Sequence, residues 1–250
     1  MEVSYSEYDY IKSVERITEI LDSSDANYIE HNGIPSRTNL TYTNGYNVDI
    51  TVLFVDIRGS KELSTKHTKP VLAKIYRAYI SEVIAVIKGN SCISEIYIEG
   101  DGIWAVFNTV NNKQVDSVFR TAFCISSLVD ILNIKLKKKK YSTIEVGIGI
   151  DDGNSLYIKA GYFGSGINEV VWIGKVVGEA ANLCSYGNKT YSDKEIMVSE
   201  RVYTMLDKEN QDLLSWSTSR QCYHSYAVSV NMNKWVQENG NKERLLTYSN

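Results

Sequence analysis

The chain lacks paired cysteines. Its four, Cys92, Cys124, Cys184 and Cys222, are scattered over 250 residues, and no CxxC occurs. Only His224 lies near one of them, and no second pair completes a ligand set, so neither a disulfide framework nor a zinc site is expected. Excess positive charge is also missing. With a net charge of −3, no global basic field recruits nucleic acid. The first residues, Met1-Glu2-Val3-Ser4-Tyr5, are polar and lack an apolar signal region. No apolar run approaches the roughly 18 residues that span a bilayer. These absences lead to the expectation of a cytoplasmic protein without a membrane span. No internal repeat or low-complexity segment appears, and 43% hydrophobic residues suffice for a sizeable core.

Two acidic turns are what the chain does have. Leu53-Phe54-Val55-Asp56-Ile57-Arg58-Gly59-Ser60 is an apolar run ending in an aspartate and then a glycine. Glu95 to Phe107 holds two strand-like runs folded over Gly100-Asp101-Gly102. Asp and Gly are ordinary turn formers, and either turn alone reads as nothing more. Together, with one good helix between them, they read differently. An aspartate at a strand end can face an aspartate at a neighbouring hairpin tip. Two such carboxylates can hold divalent cations that clamp a nucleoside triphosphate.

Periodicity gives the frame. Residues 7–22 place Ile11, Val14, Ile17 and Leu21 at helical spacing, an amphipathic helix in need of a partner surface. A polar, turn-rich connector follows. Residues 49–55 read as a buried strand. Residues 69–88 read as a helix with Pro70 near its start and a stripe of Leu72, Ile75, Tyr76, Tyr79, Val83 and Ile87. A hairpin over 92–98 and 103–108, a helix over 113–134 and a strand over 144–150 complete a β-α-β-β-α-β order, the ferredoxin-like arrangement. The glycines of Gly147-Ile148-Gly149 suggest close backbone packing. Beyond lie a strand-rich stretch (155–173), a helix (175–187), a strand (195–199) and an irregular tail. The expected fold class is α+β, an antiparallel sheet with helices on one face and an N-terminal helical extension. The expected division is 1–45 helix and connector, 46–235 catalytic domain and 236–250 tail.

The turn Phe54-Val55-Asp56-Ile57-Arg58-Gly59 resembles the first metal motif of class III nucleotidyl cyclases, Gly100-Asp101-Gly102 resembles their second, and Ile173-Gly174-Lys175-Val176-Val177 resembles the start of their third. The stretch from Asn39 through the third motif is more specifically similar to the bacterial Pycsar pyrimidine cyclases. The resemblance covers about residues 37–200. It implies conversion of a nucleoside triphosphate into its 3′,5′-cyclic monophosphate and pyrophosphate by a homodimer with sites across the interface. It implies two divalent cations, Mn²⁺ or Mg²⁺, bridged by Asp56 and Asp101, with the Ile57 carbonyl as a backbone ligand. Gly59 and Ser60 lie where amides can approach phosphates, and Arg58 could pair with one. UTP ahead of CTP is the expected substrate, and the product, cUMP, would activate a separate effector in antiphage defence.

Departures from the pattern carry the specificity argument. Adenylyl cyclases usually have a lysine four residues before the second metal aspartate; this chain has Tyr97. Their second base-reading residue stands three before the third-motif glycine; this chain has Val171. Loss of both purine-edge contacts, with a bulky ring added, points to a pyrimidine. The third motif normally offers an asparagine and, four residues later, an arginine. Gly178 and Asn182 stand there instead, leaving Asn182 or Lys175 as the remaining contacts. A lost charge donor costs roughly two to three orders of magnitude in rate, so a catalytically degenerate nucleotide sensor of the same fold stays open. A diguanylate cyclase-like enzyme shares the Gly-Asp turn, but Glu99-Gly100-Asp101-Gly102-Ile103 does not match its signature. Lys194 is a weak candidate for a phosphate-binding lysine. Lys137 to Lys140 suits the negative end of the preceding helix. His31, His67 and His224 share no motif, and Trp235 is expected to anchor the tail.

Overall fold

Val48, Ile50 and Val52 point to one side and Leu53, Val55 and Ile57 to the other, and in the computed structural model residues 45–57 form the strand on which everything else is laid. The structure describes residues 5–163 and 166–240. Along the chain run α1 (Tyr10–Leu21), β1 (Tyr28–Glu30), β2 (Gly45–Ile57), α2 (Ser60–Lys66), α3 (Lys69–Lys88), β3 (Ile93–Glu99), β4 (Gly102–Phe107), α4 (Asn112–Lys138), β5 (Val146–Tyr162), β6 (Ile167–Ile173), α5 (Lys175–Tyr186), β7 (Ile196–Val198), α6 (Glu200–Met205), α7 (Lys208–Gln211), β8 (Ser215–Ser217), β9 (Cys222–Ser225) and α8 (Val230–Asn239). The sheet order is β3-β4-β2-β5-β7-β9-β8, with β1 beside β2 and β6 beside β5. Its β5-β2-β4-β3 portion, with α3 and α4, is the expected ferredoxin-like core.

Each helix of that core has its sequence reason. Pro70 sits in the first turn of α3, where a missing N–H costs nothing, and Ile75, Tyr79, Val83 and Ile87 are its buried stripe. A capping box between Asn111 and Gln114 opens α4, and Lys135, Lys137 and Lys138 occupy its last turn. Both helices cover one sheet face, packing on Leu53, Val55, Ile57, Ile103, Phe107 and Ile148. The core-facing residues of α4 itself, among them Val118, Phe119, Ala122, Ile125, Val129 and Leu132, give it an 18-residue window apolar enough to span a membrane. This corrects the expectation that no stretch qualifies. More than half of that window, 56%, is buried inside the fold, which accounts for its composition.

Two features of the expected sheet are refined. It is mixed, because β1 runs parallel to β2 and β7 parallel to β5. And helices lie on both faces: α5 packs on the side away from α3 and α4, with Val176 and Ala180 against Ile50, Val52 and Trp104. Glycine permits this. A Cβ on Gly149 would lie 2.1 Å from the Cys184 nitrogen and 2.2 Å from the Ala180 carbonyl oxygen. Of the expected strand over 144–150, residues 146–150 open a 17-residue strand, β5, which pairs along the whole of β2 and with β6. The connector supplies β1 and buries Leu40 at 6% exposure. Helix α1 forms as expected, yet none of its residues is buried. Trp235, on α8, lies under the Lys135 ammonium at 5.1 Å. The part of the expected tail beyond residue 240 lies outside the described residues.

Candidate active site

Asp56 is the penultimate residue of β2 and pairs with Gly147. Asp101 stands in the β3–β4 turn, which Gly100 makes possible by taking φ +68°. The β2–β4 ladder brings the two together: a Cβ on Gly102 would lie 3.5 Å from Asp56 Oδ1. Burial pushes the Asp56 carboxyl above its usual range, and the charge of Asp101 pushes it further, against the opposing pull of Arg58 and the Ile57 backbone. Two carboxylates that repel each other in a half-buried place call for positive charge.

Polar groups left without partners converge here. Among the described residues, four buried side-chain atoms lack a hydrogen bond: Asp101 Oδ2, Arg58 Nε, Tyr79 Oη and Ser155 Oγ. The first three belong to residues that feel one another's charge: the Tyr79 phenol is raised well above its usual range by burial first, then by Cys184, Asp56 and Asp101, with Arg58 opposing. A buried carboxylate oxygen without a donor is costly unless a cation or water completes it. The donor set therefore fits hard divalent cations. No group of three or more His, Cys, Asp or Glu side chains forms a metal cage among the described residues. A pair of carboxylates would leave the other positions around such an ion to oxygens from other groups.

The residues around the pair fall into distinct groups. Gly59, at φ +63°, turns the chain into α2, whose first residue is Ser60. Burial and then the charge of Asp101 raise the Tyr76 phenol above its usual range, with Ser60 opposing and Asp56 adding a little. Sequence reasoning took Tyr76 only as core. Arg58 is occupied elsewhere: its Nη2 donates to the Cys184 carbonyl at 2.7 Å, at the C-terminal end of α5. Ile57 turns its side chain into the core at 3% exposure.

An aromatic row runs beside the carboxylates on the face that carries α5. Phe54, Trp104 and Tyr97 are register neighbours on β2, β4 and β3. Trp104 stacks on Phe54 at 5.3 Å between ring centres and on Tyr97 at 4.1 Å. The Tyr97 hydroxyl donates to Glu95, and Trp172 Nε1 lies 3.1 Å from both Glu95 Oε2 and Tyr97 Oη. Burial, then Glu95, raises the Tyr97 phenol far above its usual range, so it stays protonated. A cleft of ≈620 Å³ opens here, lined by Pro35, Arg37, Glu95, Tyr97, Tyr157 and Glu169. Val171 is not part of it. Strand alternation buries Val170 and Trp172 and leaves Val171 exposed. Trp172, adjacent in sequence, is the residue that meets Tyr97. Glu95 could have been found from its i, i+2 relation to Tyr97; Trp172 had no such signal.

Lys175, Gly178 and Asn182 form an outward stripe on α5. A Cβ on Gly178 would meet nothing within 4 Å. Among the described residues, no side-chain hydrogen bond or ion pair joins this stripe to the two aspartates. Lys194 Nζ donates to Ser215 Oγ at 2.7 Å, at the β8 end of the sheet.

A ferredoxin-like core carrying one aspartate at the end of its first strand and another at its hairpin tip defines the class III nucleotidyl cyclase domain. Residues 42–221 match the adenylate and guanylate cyclase catalytic domain, and the chain belongs to that family. Domains of this family use divalent metal ions, in keeping with the donor set. The chain is 37% identical to a uridylate cyclase of Treponema porcinum, covering 92% of this chain and 82% of the relative. It is 33% identical to a uridylate cyclase of Gulbenkiania mobilis, covering 96% and 100%. Among solved structures, the adenylyl cyclase CyaB of P. aeruginosa superposes with a TM-score of 0.59 at 19% identity, covering 69% of this chain and 85% of that one. The solved structure shares the fold, and the two sequence relatives share most of their length with this chain.

Proposed function

We propose that the chain is a cytoplasmic pyrimidine nucleotide cyclase that converts UTP, with CTP the second candidate, to the 3′,5′-cyclic monophosphate and pyrophosphate. The single observation behind this is the repelling Asp56–Asp101 pair with its unpartnered buried oxygen, set beside an aromatic row that ends in Tyr97. The two uridylate cyclase relatives support the choice of base.

In the reaction the ribose 3′-oxygen bonds to the α-phosphorus, the bond to the β-phosphate oxygen breaks, and the hydroxyl proton passes to solvent. Two divalent cations, Mg²⁺ or Mn²⁺, would be held by Asp56, Asp101 and the Ile57 carbonyl, and would supply charge neutralisation and a lowered hydroxyl pKa. Gly59 and Ser60 border this place and leave the backbone room to approach the phosphates. Arg58 braces the end of α5 instead of reaching for phosphate. Tyr97 offers the base a hydroxyl edge at the cleft, and the Trp104 ring, buried between Phe54 and Tyr97, holds Tyr97 in place. Val171 acts only by removing a polar purine contact.

A homodimer completes the proposal. Lys175, Gly178 and Asn182 face outward on α5, the position from which a partner's site can be reached, and Asn182 would supply the polar contact there. The product would act on a separate effector in antiphage defence. A second reading, a degenerate nucleotide sensor, is favoured by Gly178, a glycine for which packing gives no reason. Incubation of pure protein with each triphosphate and Mn²⁺ separates the two. Pyrophosphate release from UTP is expected; binding without release supports the sensor.

A further inference from the structure

The proposed preference for UTP over CTP has a physical origin in the cleft beside Tyr97. Uracil and cytosine differ at two positions of one edge. Uracil carries an N–H at N3 and a carbonyl at C4; cytosine carries a bare nitrogen at N3 and an amino group at C4. A tyrosine hydroxyl can donate or accept, so Tyr97 alone decides nothing. Its surroundings do.

Glu95 and Tyr97 stand two apart on β3 and share a strand face. A carboxylate only accepts, so the proton in their hydrogen bond belongs to Tyr97. Trp172 Nε1 is a donor only, and at 3.1 Å from both Glu95 Oε2 and Tyr97 Oη it adds a second donor to the same centre. Tyr157, stacked on Trp172 at 4.3 Å, lines the same cleft, and its phenol is pushed up to about 12 by burial first and then by the charge of Glu95. The Tyr97 proton is thus committed, and what its oxygen has left to offer the cleft is a lone pair. The ring itself cannot turn aside, because it is stacked on Trp104.

Resting on the pyrimidine reading above, we infer that Glu95 is the positioning residue that sets which pyrimidine is taken. It holds the Tyr97 hydroxyl as an acceptor, so the base must present an N–H there, as uracil does at N3 and cytosine does not. A bare cytosine N3 would face the oxygen acceptor to acceptor. A site built to hydrogen-bond one group rejects an analogue lacking it. Because cytosine can shift to use its amino group, the discrimination expected is on the order of tenfold to a hundredfold, below the limit for a fully enclosed site.

Glu95→Gln tests this while keeping the shape. Its amide can donate to the Tyr97 oxygen and release the tyrosine proton, which then suits cytosine N3. The expected result is a fall of about tenfold or more in the ratio of kcat/KM for UTP to that for CTP. The change is expected to lie in KM, since Asp56 and Asp101 are untouched, with a melting temperature close to wild type. An unchanged ratio in a folded variant overturns the inference. Should Glu95→Gln not fold, Tyr97→Phe removes the acceptor and is expected to lose the same preference; a retained preference overturns it equally. If the wild-type protein makes no cyclic nucleotide, the proposed function fails separately. Calorimetric titration with UTP and CTP then carries the test: tighter UTP binding that is lost in Glu95→Gln supports the inference, and equal wild-type affinities overturn it.

Discussion

At the scale of single residues, the account turns on Asp56 and Asp101. Asp56→Asn or Asp101→Asn is expected to lower cyclisation by two to three orders of magnitude or more, the scale of losing a charge-stabilising group, measured as pyrophosphate release. Stability is expected to move the other way. Burial and Asp101 raise the Asp56 carboxyl above its unfolded value of 3.8. The folded chain therefore binds more protons than the unfolded one in the window above 3.8, and stability falls as pH rises through the raised folded value. Metal-free Asp56→Asn removes this term. It is expected to melt higher than metal-free wild type at neutral pH and to show a flatter pH dependence above 4; a lower melting point contradicts the repulsion. Asp193 has the opposite sign. Its hydrogen bonds to Arg220 lower its carboxyl to about 2, so its contribution is fully present above 3.8 and is lost as pH falls from there through about 2.

At the scale of elements, two glycines make contrasting predictions. Gly149→Ala places a methyl against the backbone of α5 and is expected to destabilise by about 1–3 kcal/mol, as overpacking does. Gly178→Ala meets open space on an exposed helix interior and is expected to stabilise by roughly 0.5–1 kcal/mol. Denaturant unfolding reads both. Much of this level was legible in advance. The bounds of α3 and the β3–β4 hairpin follow from the spacing of Ile75, Tyr79, Val83 and Ile87 and from the Gly100 turn. The face taken by α5 was not legible, because helical periodicity reports that a stripe is buried but not on which side of a sheet. The strands β1, β8 and β9 span three or four residues, too few for a period to show. At the site, the placing of Asp56 and Asp101 at a strand end and a hairpin tip could be read from the sequence pattern, and Tyr97 only through the resemblance to the cyclases. Trp172, Tyr76 and Tyr79 could not, since only the folded chain brings them near.

At the scale of the whole molecule, the outward stripe of Lys175, Gly178 and Asn182 and the exposed apolar face of α1 are the surfaces on which the proposed homodimer rests. Sedimentation is expected to show a homodimer at micromolar concentration, and mixing Asp101→Asn protein with an Asn182→Ala variant is expected to restore part of the activity that each lacks. A fully active monomer contradicts this. The central claim, a two-carboxylate site that cyclises a pyrimidine nucleotide, is tested most directly by competition. Purified protein with Mn²⁺ is given ATP, GTP, CTP and UTP at equal concentration, and the products are identified by mass. The account predicts 3′,5′-cyclic UMP as the main product, with cyclic CMP second. Preferential formation of cyclic AMP or cyclic GMP would contradict it.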